Sequence, residues 1–287
     1  MLRIIGKRDI SIAVDFAWKL SQNPETLSYT LYNEKSKLEE NFNMSFLKDN
    51  NILLGYYENN ELIAVIQFFF INSERYLQTT RVYIYSNYNQ IMDALMIIFK
   101  NEYPNYRALF GFPKENIKAN NYFIKNGYEC VDSCLDMRLS TVDFKGAKQS
   151  NNIFKLSKSD FDSYASFHDK FFQNIYWTSN RLREAFDDWY TFVYIPKDTI
   201  EGSVFIKVCD ENTLEIFGLL VSDEYIGKGI KEVLLAQGLE ILFKYKPSIK
   251  QTIFFINDVE SEELNIVEKV GFRYFSSYRC YQVWLWA

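Results

Sequence analysis

One stretch of the chain, residues 214–236, constrains the fold more than any other. Its first part, LEIFGLLV, is apolar on both faces of an extended chain apart from Glu215, which predicts a central strand. Ser222 and Asp223 end the strand, and Gly227 and Gly229 lead into a run of apolar residues at helical spacing. The turn before such a helix presents free backbone N–H groups at the positive end of the helix dipole. It can therefore hold a phosphate group.

Strict alternation along this strand predicts two apolar faces. One face would carry Leu214, Ile216, Gly218 and Leu220, and the other Phe217, Leu219 and Val221. Gly218 in the middle of the strand indicates a bulge or a close approach of another chain segment.

Composition excludes several classes of protein. The 287 residues are 48% hydrophobic, which is enough for one large or two medium domains. The net charge of -5 and the lack of a basic block argue against nucleic acid as a partner. The run Leu62–Ile71 is too short to cross a bilayer, and MLRIIGKRDI does not resemble a signal peptide, so we expect a cytoplasmic protein without a membrane partner. Four cysteines and one histidine favour reduced, mostly buried thiols and no metal site.

The order of predicted elements repeats along the chain. Helical stretches, a hairpin, further strands and a short helix occupy the first half, which closes with a predicted strand pair over residues 129–139. Residues 141–151 carry little hydrophobic pattern and predict a linker between domains at 1–140 and 152–287. The helix terminators Gly127 and Gly271 are about 144 residues apart, which indicates a duplication.

The second half resembles the GNAT superfamily of acyl-CoA-dependent N-acetyltransferases, and the first half resembles a degenerate copy of it. The family turn reads [Q/R]-x-x-G-x-[G/A], and here the positions are Ile226, Gly227, Lys228, Gly229, Ile230 and Lys231. Only Gly229 matches the pattern, while the first half has no glycine in SNYNQIMDALMI. The resemblance implies an α/β fold (α+β mixed sheet) made of two tandem GNAT-like domains.

The same resemblance implies acetyl-CoA as cosubstrate and no metal. Backbone groups of Leu219, Leu220 and Val221 and of the turn 226–231 would bind it, with Lys231 either crowding the phosphates or contacting them. The family's second signature, an Asn with an Ala three residues later, is kept in the first half at Asn116 and Ala119. In the second half Asn257 is the candidate substitute.

Glu215 is the predicted general base. It is the ionisable residue inside the apolar strand, and the resemblance places a base there in several family members. Burial would raise its pKa toward a useful range. The alternative is that Glu215 lies at an exposed strand end or pairs with a lysine such as Lys207.

Candidates for the other catalytic roles are weaker. The resemblance makes Tyr278 the candidate acid, with Tyr281 as an alternative on the same predicted strand. His168 is either a base or a packed residue. The aromatic residues near it either shape an apolar acceptor pocket or form the core face of a helix: Phe171, Phe172, Tyr176 and Trp177.

Two classes of function follow from this sequence. The first is an N-acetyltransferase that uses acetyl-CoA to acetylate a primary amine of a small molecule or peptide by direct attack. The second is a non-catalytic GNAT-fold protein that binds CoA or an acyl metabolite as a regulator or scaffold. An aminoacyl ligase that uses charged tRNA is disfavoured by the acidic balance. A homodimer is left open.

Overall fold

The computed structural model describes residues 1–29, 31–32, 34–173 and 175–286. The chain forms two compact units. Unit 1 is Met1–Cys134 with Ser276–Ala287, and unit 2 is Leu135–Phe275. The chain passes from unit 1 to unit 2 within strand β6 (Glu129–Ser140) and returns within strand β12 (Arg273–Trp284). The linear domain boundaries drawn from the sequence stay a prediction.

Unit 1 is a mixed sheet with helices on both faces. Its strand order is β1-β2-β3-β4-β5-β12, and β4 and β5 are the parallel pair among antiparallel neighbours. Besides β12, its helices and strands in chain order are β1 Leu2–Ile4, α1 Ile10–Ser21, α2 Lys35–Met44, β2 Asn51–Glu58, β3 Glu61–Ile71, β4 Tyr76–Ile84, α3 Tyr88–Glu102, β5 Arg107–Pro113 and α4 Ile117–Lys125.

The hairpin predicted in the first half is confirmed. Strands β2 and β3 pair up to Glu58↔Glu61, and the turn residues Asn59 and Asn60 both have left-handed backbones, with φ of 49° and 66°. Asparagine tolerates this conformation, and two left-handed residues match the twist of the flanking strands. The local sequence ENNE therefore sets the register of β2 and β3 next to the turn, as far as the irregularity between Tyr56 and Tyr57.

Unit 2 repeats this plan. Its strand order is β6-β11-β10-β9-β8-β7, and the parallel pair is β10 with β11. Besides β6, its helices and strands in chain order are β7 Ile153–Lys155, α5 Phe161–Phe171, α6 Ser179–Glu184, β8 Trp189–Tyr194, β9 Gly202–Asp210, β10 Thr213–Val221, α7 Ile230–Tyr245, β11 Gln251–Asn257 and α8 Ser261–Val270.

Each unit buries one apolar cluster on each face of its sheet. In unit 1, one cluster holds residues of α1 and α2, such as Val14 and Phe42, and the other holds residues of α3 and α4, such as Leu95 and Phe123. In unit 2, α5 and α6 contribute to one cluster and α7 and α8 to the other. This shared layering confirms an α/β fold that is duplicated along the chain.

One element prediction is wrong. Residues 129–139 form one strand, β6, instead of a strand pair, and the two parts of this strand belong to the two different units.

Across the described residues, no helix combines the length and apolar character needed to span a membrane. The same residues hold no cluster of side chains suited to bind a metal ion. The four cysteines form no disulfide; Cys134 and Cys280 are buried, whereas Cys130 and Cys209 are exposed, so burial of most thiols is not observed.

Candidate functional site

Strand β10 is the centre of the candidate site in unit 2. It lies between β9 and β11, which confirms the prediction of a central strand. Its pairing with β9 shifts register between Ile216 and Gly218, so the bulge that the glycine indicated is present. A Cβ atom on Gly218 would lie 2.4 Å from the rings of Phe172 and Phe205. Gly218 is therefore needed for the close approach of these rings.

The bulge changes which residues share a face of the strand, so the faces predicted from strict alternation are wrong. Leu214 and Ile216 share their apolar cluster with Leu219, while Phe217 packs in the cluster on the other face of the sheet. An inserted residue resets the alternation, so residues on either side of it no longer follow strict period two.

Strand β10 and strand β11 separate beyond the bulge. Their parallel pairing runs from Thr213↔Gln251 to Ile216↔Phe254, whereas β10 keeps pairing with β9 as far as Val221. In the described residues, the β11 side of the segment Phe217–Val221 has no strand partner. Alternate residues of this segment, which includes Leu219, Leu220 and Val221, therefore present backbone polar groups toward that side.

Glu215 lies just before the bulge on this strand. It is half-buried, and burial raises the pKa of its carboxyl to about 7, with the charge of Asp136 adding to the effect. The thiol of Cys209 donates a hydrogen bond to Oε2 across 3.5 Å and opposes the rise, as does the charge of Lys207. Glu215 can therefore exchange a proton near neutral pH.

Lys207 lies directly opposite Glu215 in the antiparallel register. Its ammonium nitrogen lies 4.7 Å from the ring centre of Trp177 and 5.5 Å from that of Trp189, which is cation–π geometry. Among the described residues, no carboxylate lies within salt-bridge distance of Lys207. The alternative in which Glu215 forms an ion pair with this lysine is not observed, and neither is an exposed strand end.

Aromatic residues cover this face of the sheet. Trp177 and Trp189 both pack edge-on against Phe217, with ring centres 6.3 and 5.0 Å apart. His168 is fully buried, and its Nε2 lies 2.8 Å from the carbonyl oxygen of Trp177. Burial lowers the pKa of His168, so it is neutral and holds the Trp177 segment in place. Phe172 and Trp177 pack against the apolar cluster on this face, as the interpretation of a helix core expects, while the acceptor pocket stays a prediction.

The glycine turn lies between β10 and α7. Gly227 and Gly229 have φ of 71° and 75°, and a Cβ on either would meet open space. Gly229 caps α7, so the N–H groups of Ile230 and Lys231 lie in its first turn without intrahelical acceptors. Within the described residues, no protein group accepts a hydrogen bond from the N–H of either glycine. The turn thus has the backbone features of an anion site.

Carboxylates surround this turn. The Nζ of Lys231 lies 3.1 Å from Glu263 and 3.6 Å from Glu262 on α8, so this side chain is bound within the protein. Lys228 lies 3.9 Å from Glu224. The charges that a phosphate would use are already compensated, which weakens the electrostatic attraction of the turn for an anion.

The remaining predicted positions lie in the turn, at the start of α7 and at the end of β11. The side chain of Ile226 is exposed, and Ile230 packs against the buried cluster under α7. Asn257 ends β11, and its Oδ1 accepts a hydrogen bond from the N–H of Val259 across 3.2 Å. Asn257 therefore shapes the loop before α8.

Tyr278 and Tyr281 both belong to unit 1, whereas Glu215 belongs to unit 2. Tyr278 packs over Gly111 of β5, and burial raises the pKa of its phenol well above the ordinary value. Tyr281 stacks on Phe123 and donates to Asn120 Oδ1 across 2.8 Å. Glu215 and Tyr278, the predicted base and the predicted acid, are thus in different units.

Unit 1 has the same strand geometry but different chemistry. Counted from the first residue of each parallel pair, Gln78 of β4 occupies the position of Glu215, and Arg81 that of Gly218. Strand β4 has a matching bulge at Thr80. A glutamine cannot act as a base, and Arg81 fills the place that Gly218 leaves for aromatic rings. Three residues connect β4 to α3, against eight between β10 and α7.

Sequence reasoning missed two residues of the unit 2 arrangement. They are Cys209, which donates a hydrogen bond to Glu215, and Trp189, whose ring lies near the ammonium group of Lys207. Phe172, one of the aromatic candidates near His168, covers Gly218. The polar turn at residues 211–212 could have indicated a β9–β10 hairpin and so placed Cys209 near Glu215.

Several solved structures with this fold are described as N-acetyltransferases of the GNAT type. A GCN5-related N-acetyltransferase from Sphaerobacter thermophilus has a TM-score of 0.75 at 11% identity, over 100% of this chain and 96% of the other. An acetyltransferase of the GNAT family from Colwellia psychrerythraea has a TM-score of 0.56 at 12% identity, over 98% and 99% of the two chains. The chain therefore has the GNAT fold.

The tandem form of this fold is also found among solved structures. A tandem GNAT protein from the clavulanic acid biosynthesis pathway has a TM-score of 0.66 at 7% identity, over 100% of this chain and 99% of the other. The chain is accordingly two GNAT-like units in tandem. No protein-family model matches the sequence, and no curated protein matches it either.

Proposed function

We propose that unit 2 transfers an acetyl group from acetyl-CoA to a primary amine, with Glu215 as general base. The observation that carries this proposal is the pKa of Glu215 of about 7, on the bulged strand where β10 and β11 separate. A base whose pKa is near the working pH is strong enough to accept a proton efficiently, while a large fraction of it is still deprotonated in the resting enzyme. The small molecule or peptide that supplies the amine contacts this face of the sheet.

The properties of the neighbouring Cys209 thiol favour direct attack by the amine on the acetyl group. Cys209 is exposed at the surface, but the neighbouring protein atoms partly desolvate its thiol, and together with the charge of Glu215 this raises the pKa of Cys209 to about 12. The thiol therefore stays protonated and is a poor nucleophile. An acyl-cysteine route is thereby disfavoured. In the direct reaction, the N–C bond forms, the C–S bond breaks, and Glu215 takes the proton that the amine loses. Backbone N–H groups of the segment Phe217–Val221 on the open side of β10 would stabilise the oxyanion.

No protein side chain is proposed to protonate the leaving thiolate. Tyr278 belongs to unit 1, and its raised pKa means that it gives up its proton reluctantly. Solvent can protonate a thiolate directly, so the reaction does not require this residue.

The residues at the turn fit acetyl-CoA through their backbone. The open N–H groups of Gly227, Gly229 and the first turn of α7 would hold the pyrophosphate, while Ile226, Lys228, Ile230 and Lys231 shape the turn. Bound acetyl-CoA supplies the activated acetyl group. The compensated lysines and the carboxylates of Glu262 and Glu263 predict weak affinity for it.

Titration calorimetry with acetyl-CoA and desulfo-CoA tests the cosubstrate. The wild type should bind both, and Gly229→Trp should bind neither, because the indole would cover the turn. Gly127→Trp is the matched control, since Gly127 also has a left-handed backbone with open space around it but lies in unit 1. Absence of binding by the folded wild type would refute the proposal.

A non-catalytic role is the second candidate, and the compensated lysines at the turn favour it. A thiol-release assay over a panel of polyamines, aminoglycosides and peptide N-termini separates the two. Thiol release with any amine supports the enzyme, whereas binding without turnover supports a regulator or scaffold.

A further inference from the structure

A cavity of about 450 Å³ lies in unit 1, where three neighbouring strands begin or end. Tyr76 of β4 is paired with Arg107 of β5, which is paired with Trp284 of β12, so these residues form one row across the sheet. The volume is that of a small-molecule site. The cavity is not part of the proposed catalytic site around Glu215 or of the glycine turn, because both of these belong to unit 2.

Two stacked indoles form one wall of the cavity. The rings of Trp284 and Trp286 are 5.3 Å apart and nearly parallel, and the residues are 45% and 61% exposed. Indole is the largest flat side-chain surface, and a planar ring stacks on it favourably. An exposed pair of this kind beside a cavity therefore favours a ligand with an aromatic ring.

Two guanidinium groups line the same cavity. Arg107 donates from Nε to Oε1 of Gln282, which orients its guanidinium, and Arg75 is exposed at the rim. In the described part of the chain, neither arginine lies within salt-bridge distance of a carboxylate. A guanidinium fork binds phosphate through two parallel hydrogen bonds, so the pair favours an anion.

The backbone around the cavity is held in uncommon conformations. Arg75 has φ of 48°, a left-handed conformation that costs energy for a side chain of this size, and Asn105 has φ of 63°. The N–H of Arg107 donates to the carbonyl oxygen of Arg75 across 2.7 Å, and the N–H of Asn105 to that of Leu285 at the same distance. Such maintained strain is common at ligand sites.

We infer that this cavity binds a nucleoside monophosphate. The base stacks on the indoles, the phosphate binds the guanidinium groups of Arg75 and Arg107, and the polar rim at Glu74 and Asn105 meets the amino groups of the base. The two requirements, a flat ring and an anion within one ligand of this size, exclude simple anions and uncharged aromatics as the preferred ligand. The inference does not depend on acetyl transfer by unit 2.

Titration of the full chain with adenosine monophosphate tests this inference, with adenosine and ribose 5-phosphate as separate ring and phosphate probes. The nucleotide should bind most tightly, and added salt should weaken it. Arg75→Ala and Trp286→Ala should each weaken binding about tenfold, since each removes one of the two groups that contact the ligand. Arg8→Ala, at an exposed arginine of unit 1 outside the cavity, should leave binding unchanged.

Gly229→Trp distinguishes this cavity from the turn of unit 2. It should retain nucleotide binding even though it loses acetyl-CoA. Loss of nucleotide binding in Gly229→Trp with normal binding by Arg75→Ala would place the ligand in unit 2 and overturn the inference. Undetectable binding by the folded wild type, or equal binding by wild type, Arg75→Ala and Trp286→Ala, would overturn it as well.

Discussion

The thiol of Cys209 donates a hydrogen bond to the carboxylate of Glu215 across 3.5 Å, between neighbouring strands β9 and β10. Burial raises the pKa of Glu215 to about 7, and desolvation by neighbouring atoms together with the charge of Glu215 raises the pKa of the exposed Cys209 to about 12. Near neutral pH the carboxyl therefore titrates while the thiol remains protonated. This difference supports the proposed role of Glu215 as general base, with Cys209 positioning the carboxyl and tuning its pKa.

Glu215→Gln should reduce kcat/KM for acetyl transfer by about a hundredfold to ten-thousandfold, because the amide cannot accept the proton. Binding of acetyl-CoA should be unchanged. In the wild type, kcat/KM should rise with pH up to about 7 and then level off, as the carboxyl loses its proton. Thiol release across a pH series measures both effects. Glu211→Gln, at an exposed position in the turn between β9 and β10, is the control. Full activity in Glu215→Gln would show that Glu215 is not the base.

Cys209→Ala should keep most of the activity but move the rise in kcat/KM to higher pH. The thiol stabilises the charged carboxylate, so its removal raises the pKa of Glu215 further. The same pH series measures the shift. Complete loss of activity at every pH would instead indicate a nucleophilic cysteine.

The carboxyl of Glu215 should make the protein less stable as pH rises from about 4.5 to about 7. In that range the folded state holds a proton that the unfolded state has lost, so the free energy of unfolding falls. Glu215→Gln removes this effect and should be more stable than the wild type by about 2 kcal/mol above pH 7, a value reduced for partial exposure. Urea unfolding of both proteins at pH 5 and pH 8 measures the difference. An identical pH dependence would mean that the carboxyl is solvated in the folded protein.

Gly218→Ala should lower the free energy of unfolding by about 1–3 kcal/mol, because the added methyl group overlaps Phe172 and Phe205. Phe172→Leu in the same chain should recover part of this loss. Thermal unfolding measures both variants. Gly6→Ala is the control, since its methyl group would meet open space on an extended backbone. Equal stability of the two alanine variants would contradict the close packing at the bulge.

Replacing Glu224 and Glu262 by glutamine should tighten acetyl-CoA binding several-fold. Both carboxylates pair with lysines of the turn, and their removal leaves Lys228 and Lys231 with less compensating charge. Titration calorimetry at low salt measures the change. Glu240→Gln, near the other end of α7, should have no effect; unchanged affinity in the double variant would argue against phosphate binding at this turn.

Local patterns carried much of the architecture. The ENNE turn, the glycines at 227 and 229 and the apolar strand around Glu215 each depend on a few neighbouring residues, and the structure has the predicted element at each place. The close packing at Gly218 was also foreseeable, because a glycine inside a strand commonly marks a bulge or the close approach of another segment. The duplicated order of elements required only the spacing of such patterns.

Other features depended on contacts between distant residues. The faces of β10 follow from its bulge, and the passage of the chain between the two units within β6 and β12 has no local signature. The pairing of Lys231 with Glu262 and Glu263, and the packing of Tyr278 in unit 1, depend on which segments lie side by side.

The sequence by itself determined that this protein has a duplicated α/β fold with one glycine turn and one ionisable residue in its central strand. Propensity, period and turn chemistry are local, so they can be read in order along the chain. Only the tertiary structure decided the pKa of Glu215, its thiol neighbour, and the loss of the same chemistry at Gln78 and Arg81 of unit 1. Burial and charge act through space, and residues far apart in the sequence supply them.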